Sequence, residues 1–179
     1  MKNDFAKHLT RFFTEYLSGE RGASHNTIRS YGNTFTSFLD FMDEVNHVKA
    51  DKLSIDDFTR NNILSFLQWL QERKQCSIST RNQRLSAIHS FCKYLQYEDV
   101  IHMGQWQNIL SIKFKRIEKQ SVNYLDVDGI KLLLSQIPAQ TKAGRRDLAI
   151  IALLYDSGAR VQELIDLTPL DVHLTRPYY

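Results

Sequence analysis

The stretch Asp147-Leu148-Ala149-Ile150-Ile151-Ala152-Leu153-Leu154-Tyr155-Asp156-Ser157-Gly158-Ala159-Arg160-Val161-Gln162-Glu163-Leu164-Ile165-Asp166-Leu167 decides how this chain is read. Its first half is an apolar run at helical spacing, and Ser157-Gly158 breaks it. Arg160 then opens the first turn of a second amphipathic helix. A permanent cation placed where backbone N–H groups converge forms a ready seat for a phosphate. Glu163, one turn further on, is spaced to brace the guanidinium as an intrahelical ion pair.

Working outward, all three prolines (Pro138, Pro169 and Pro177) lie in the last quarter, and apolar spacing is helical throughout the residues before them. Phe5, Leu9, Phe12, Phe13, Tyr16 and Leu17 predict a first helix ending at Gly19 and Gly22. Ser24 or Asn26 is placed to cap a second helix carrying Ile28, Tyr31, Phe35, Phe38, Leu39, Met42 and Val45 on one face. Ser54 with Asp57 marks the cap of a short turn. A third helix, from about Arg60 to Arg73, buries Ile63, Leu64, Phe66, Leu67 and Leu70. Ser77 or Ser79 begins a fourth, with Leu85, Ile88, Phe91, Cys92 and Leu95 inward. No strand pattern interrupts this half, which reads as a bundle of four or five helices. Trp69 and Trp106 are expected in its core.

From Ser111 to Asn123 the periodicity fades and charge rises through Lys113, Lys115, Arg116, Glu118 and Lys119, predicting a linker. Beyond it Asp126 and Asp128 open a helix with Ile130, Leu133, Leu134 and Ile137 that Pro138 ends. A polar loop over Gln140–Arg145, the apolar helix, the arginine helix and a strand approach at Thr168–Val172 follow. The expected domains are therefore 1–112, a basic linker 113–123, and 124–179.

Composition narrows the function classes. At 42% hydrophobic and 11% aromatic the 179-residue chain is not disordered. Its 23 Lys and Arg against 20 Asp and Glu leave a charge of +3, which permits a polyanionic partner without demanding one. Cys76 and Cys92 lack partners at zinc spacing and read as a reduced, core-packing pair. The six histidines show no metal spacing, and no glycine-rich phosphate loop is present. No signal peptide is visible, and the longest apolar stretch, around Leu148–Tyr155, is too short for a bilayer. The expectation is a cytoplasmic protein without metal or cofactor.

Setting the apolar face of the fourth helix inward leaves Asn82, Gln83, Ser86, His89, Ser90 and Lys93 on the other side, with no acid before Glu98. Such a face suits a phosphate backbone or a major-groove edge. Arg81 and Arg84 fall nearer the apolar side, and being long they are expected to snorkel outward.

The segments Ser24-His25-Asn26-Thr27-Ile28-Arg29-Ser30-Tyr31 and Ser79-Thr80-Arg81-Asn82-Gln83-Arg84-Leu85-Ser86-Ala87-Ile88-His89-Ser90-Phe91 resemble helix openings in the core-binding bundle of tyrosine recombinases, the phage integrases and bacterial Xer group. Gly158-Ala159-Arg160-Val161-Gln162-Glu163-Leu164 resembles that family's first arginine box. The resemblance spans essentially the whole chain. It implies an all-α, SAM-like core-binding bundle, followed by the first helices of a truncated mixed α+β catalytic domain. It also implies a C-shaped clamp around double-stranded DNA and, in the intact protein, a tetrameric homo-oligomeric synapse.

Carried over residue by residue, the resemblance assigns catalysis to Arg160 with support from Glu163. It assigns DNA contacts to Thr27, Arg29, Arg81, Asn82, Gln83, Arg84, Ser86, His89, Lys93, Lys113, Lys115 and Arg116. His89 and Gln83 stand where many relatives have arginine, which weakens those contacts or makes them pH-dependent. The family's strand lysine, His-x-x-Arg box, later His or Trp and nucleophilic tyrosine are missing, and Tyr178 and Tyr179 lie too close to Arg160 to be that tyrosine. The expectation is the N-terminal part of a site-specific recombinase or DNA integrase that is inactive alone. The alternatives are a non-catalytic, regulatory DNA-binding integrase fragment and a helical protein-interaction module.

Overall fold

The computed structural model describes residues 4–117 and 124–172. Part of the expected linker (118–123), together with His173, Pro177, Tyr178 and Tyr179, lies outside the described residues. Every described regular element is helical, so the described residues are all-α as their apolar spacing predicts. It divides into two compact units, Met1–Lys119 and Gln120–Tyr179. No helix among the described residues is long and apolar enough to cross a membrane.

In the first unit α1 (Asp4–Arg11) runs on into a nine-residue π-helical segment, Phe12–Glu20, which a helical period alone does not foresee. The wider turn continues through Gly19. The break comes at Gly22, whose φ of 55° lies in the left-handed region that glycine enters without strain. Ser24 then caps α2 (His25–Asn46) by accepting from the Thr27 N–H at 3.2 Å. Thr59 caps α3 (Arg60–Glu72), and Ser77 caps α4 (Ile78–Glu98) through the Thr80 N–H. A 3-10 turn, Ile55–Asp57, is tied to the start of α1, where Asp4 Oδ1 accepts from the Ile55 N–H at 2.9 Å. After a second 3-10 turn (Val100–His102), α5 (Met103–Leu110) completes a five-helix bundle.

The core of this bundle is aromatic. Phe91 of α4 meets Phe12 at 5.1 Å between ring centroids, Phe35 at 5.2 Å, Phe58 at 5.5 Å and Phe5 at 5.9 Å, all inclined steeply enough to be edge-to-face. One side chain therefore joins α1, α2, α4 and the turn before α3. Trp69 and Trp106 are buried as expected, and the Trp106 indole donates to the Asp99 carbonyl. Cys92 is buried too, and burial pushes its thiol well above the usual range. Cys76 and Cys92 are both free.

In the second unit α6 (Val127–Ser135) is capped by Asp126, whose side chain accepts from the Gly129 N–H at 2.7 Å. The expected polar loop over Gln140–Arg145 is shorter than predicted. Thr141 accepts from the Gly144 N–H, and α7 (Lys142–Ser157) starts three residues before the loop was expected to end. Gly158, at φ 63°, ends α7, and α8 (Val161–Ile165) follows. The expected strand approach at Thr168–Val172 holds a 3-10 turn, Pro169–Asp171. The Asp171 carboxylate caps the Thr168 N–H at 2.8 Å, curling the backbone before it can extend. Many apolar side chains of this unit, among them Leu132, Val161 and Ile165, are exposed.

Candidate nucleic-acid interface

The starts of α2 and α4 lie side by side because α4 sends two polar side chains across the gap. Gln83 Nε2 donates to Ser30 Oγ at 3.0 Å. Arg84 Nη1 donates to the Ser30 carbonyl at 3.1 Å and to Thr34 Oγ1 at 3.3 Å. A shallow pocket lined by Asn26, Thr27, Ser30, Tyr31, Gln83 and Ser86 opens at this junction.

A second pocket adjoins it, sharing Tyr31 and Ser86, and is lined also by Tyr16, Arg21, His89, Ser90, Lys93 and Phe114. Neither lining contains a carboxylate. Arg21, at the end of the π segment, donates from Nη1 to Ser90 Oγ at 2.9 Å, which aims its guanidinium along the pocket wall toward α4. No periodicity argument singles out Arg21, because it belongs to a connection and its partner is 69 residues away. Ser90, placed on the polar face by the helical wheel, is buried at 7% exposure and serves as that anchor.

His89 sits in the same wall, edge-on to Phe114 at 5.4 Å, with Nε2 buried and unpartnered. Burial above all pushes its pKa below the ordinary value; a backbone hydrogen bond to Ile109 opposes this, and the Lys93 and Arg81 charges reinforce it. That shift favours the uncharged imidazole over the cation.

The expectation that Arg81 and Arg84 reach outward is not met. Arg81 is only 5% exposed and donates to Asn82 Oδ1 at 3.1 Å and the Lys113 carbonyl at 3.2 Å. Arg84 is held by Ser30 and Thr34, and the Nε atoms of both arginines are buried without partners. Their stems follow the apolar side of α4 inward, where backbone and side-chain oxygens accept from Nη1 of each guanidinium while Nε is left unpaired. Asn82 likewise faces the chain, bonded to Lys115. Exposed and on the outer surface are Arg29, Gln83, Ser86, Lys93, Lys113 and Arg116, while Thr27 is half-buried.

In the second unit Arg160 is the N-cap residue of α8, with extended backbone. Glu163 folds back on it twice. Its Oε2 accepts from the Arg160 N–H and its Oε1 from Nη1, each at 2.8 Å. Those bonds to Arg160, the backbone one first, hold the Glu163 carboxyl below its usual range. The Arg160 side chain remains 85% exposed, presenting a braced fork of donors to solvent. Among the described residues no group of three or more His, Cys, Asp or Glu could hold a metal ion.

Comparison with known proteins bears on this geometry. Residues 11–99, which span both pockets apart from Phe114, match the family model for the phage integrase N-terminal SAM-like domain. An integrase/recombinase of Sinorhizobium fredii is 35% identical over 159 residues, covering 89% of this chain and 48% of that protein. The tyrosine recombinase XerC of Herpetosiphon aurantiacus is 35% identical over 162 residues, covering 90% and 50%. The tyrosine recombinase XerD of Oceanobacillus iheyensis is 33% identical over 162 residues, covering 90% and 52%. The chain thus spans about half the length of the curated relatives it matches. No solved structure matches it. The match of residues 11–99 to the SAM-like domain, and relatives about one-third identical over some nine-tenths of the chain, place the chain in the tyrosine recombinase family.

Proposed function

We propose that this chain binds double-stranded DNA as part of a cytoplasmic site-specific recombinase or integrase, with 1–112 as its core-binding domain. In this reading 113–123 is the basic linker and 124–179 the beginning of the catalytic domain. The observation that carries the DNA reading is the continuous, carboxylate-free polar surface from Asn26 and Thr27 to Lys93, flanked by Arg21 and Arg29. Phosphates lie against Arg21 and Lys93, where each neutralised contact releases counterions. Thr27, Gln83 and Ser86 sit on the part of the surface suited to a groove edge.

In the complete recombinase, a tyrosine hydroxyl attacks a DNA phosphodiester. The tyrosyl oxygen–phosphorus bond forms, and the bond to the 5′ oxygen breaks, leaving a 3′-phosphotyrosyl link and a free 5′-hydroxyl. A 5′-hydroxyl of another strand reverses the step, releasing the tyrosine. Arg160, braced by Glu163, donates to non-bridging phosphate oxygens as negative charge builds on them, so positioned cations do the work. The nucleophilic tyrosine is not among these 179 residues in this reading, and strand exchange runs in a homotetramer on DNA.

Duplex titration across a salt series tests the interface. Lys93→Ala should weaken binding and reduce the log–log salt slope by about one unit. Undetectable duplex binding at low salt, or an unchanged slope in Lys93→Ala, would overturn it.

A further inference from the structure

Residues 113–117, after α5, belong to no regular element, so no helix or strand ladder pairs their exposed backbone groups, and partners come from water or from other segments. The first turn of α4 supplies several. Asn82 Nδ2 donates to the Lys115 carbonyl at 2.7 Å while Asn82 Oδ1 accepts from the Lys115 N–H at 3.0 Å. One side-chain amide thus pairs with both polar groups of a single residue, as a neighbouring strand would. Arg81 Nη1 reaches the Lys113 carbonyl at 3.2 Å and also touches Asn82 Oδ1 at 3.1 Å. Between these points the Phe114 ring stands edge-on to His89, and Lys115 Nζ meets Gln71 Oε1 of α3 at 2.6 Å. Three consecutive residues are each held by a separate anchor, more than 30 positions away in sequence for both α4 hydrogen-bonding partners.

We propose that Arg81 and Asn82 are positioning residues that lock Lys113–Lys115 onto α3 and α4, not readers of DNA. The lock makes the basic segment leave the helical unit along one path. Arg81 sits buried at the start of α4 without a carboxylate partner among the described residues because its acceptors are the backbone carbonyl of Lys113 and the side-chain oxygen of Asn82. The lock also separates two kinds of cation in the segment. All of its cations are exposed, but the Lys115 ammonium is bonded to Gln71, whereas Lys113 carries its charge on a backbone held at its carbonyl by Arg81. Ordering completed before binding is not charged against affinity when a phosphate arrives. That consequence rests on the DNA reading above, but the lock does not.

The test is amide hydrogen exchange on the full chain, with tryptic cleavage after Lys113 and Lys115 as a second readout. In Asn82→Ala the Lys115 amide should exchange about tenfold faster, as expected when one such hydrogen bond is lost, with Leu85 and Ile88 unchanged. Cleavage after both lysines should accelerate with it. Asn82→Asp keeps the volume but turns an oxygen toward the Lys115 carbonyl, so it should unlock the segment as well. Unchanged Lys115 exchange in both variants overturns the proposal. So does protection lost equally along α4, which would mark Asn82 as a general support of the helix. Parallel duplex titration keeps the two readings apart. If the chain binds no duplex while Lys115 responds as stated, the lock stands and the interface falls.

Discussion

Arg84 of α4 and Ser30 of α2 are joined through the Arg84 Nη1 donor and the Ser30 backbone carbonyl, 3.1 Å apart, with Thr34 Oγ1 as a second acceptor at 3.3 Å. The charge that sequence reading offers to DNA is thereby used to hold α2 and α4 together. Arg84→Ala should lower unfolding free energy by about 1.5–3 kcal/mol, the range for hydrogen bonds to a charged group. Urea denaturation with an unchanged m value checks it. Arg84→Lys should recover little, because an ammonium on a different stem does not reproduce the same reach.

Arg21 should behave differently. It is anchored by Ser90 at the pocket wall, with no carboxylate in the lining. Arg21→Ala should lower the unfolding midpoint less than Arg84→Ala does, since only the one hydrogen bond to Ser90 is lost, while weakening duplex binding and reducing the salt slope by about one unit. A slope equal to wild type in an otherwise intact variant would remove Arg21 from the interface.

His89 carries a pH prediction. Its folded pKa lies below the ordinary 6.5, chiefly through burial. Below the ordinary value the unfolded chain binds a proton that the folded chain refuses, so stability falls as pH drops through that window and is fully present above it. Urea midpoints at pH 7.5 and 5.5 should therefore differ, with the acidic one lower. In His89→Gln the part of that difference due to the imidazole should disappear.

Gly144, in the first turn of α7, lies against the carbonyl of Pro138, and a Cβ there would overlap that backbone oxygen. Gly144→Ala should cost roughly 1–3 kcal/mol as the start of α7 shifts away, the usual scale of overpacking. Exchange of α7 amides should quicken while those of α4 stay protected. Equal protection in both units would show that the contact yields easily.

Arg160 makes a prediction about chemistry. In a recombinase carrying this segment together with a nucleophilic tyrosine, Arg160→Ala should leave site binding intact and lower strand cleavage at least ~100-fold. A nicked suicide substrate that traps the covalent protein–DNA adduct measures it. Arg160→Lys should rescue poorly, since the charge survives but the planar fork does not.

What was legible in the sequence is what neighbours along the chain decide. Helix caps at Ser24, Ser77 and Asp126 each satisfy an N–H three residues ahead, and Gly158 turns the chain because nothing else enters its φ so readily. The burial of Phe35, Phe66, Leu85 and Phe91 follows from a period of three and four residues, and the Arg160–Glu163 pair from its spacing of three. The polar face of α4 was legible in outline only. Whether a long cation at its edge turns out or in depends on which acceptors the tertiary structure brings near. The Lys113 carbonyl claims Arg81, and the Ser30 carbonyl claims Arg84. Arg21 reaches the pocket through Ser90, and Asn82 pairs with Lys115, for the same reason. Local periodicity records which side of a helix is apolar, but the partner of a buried polar group is fixed only when distant segments close on it.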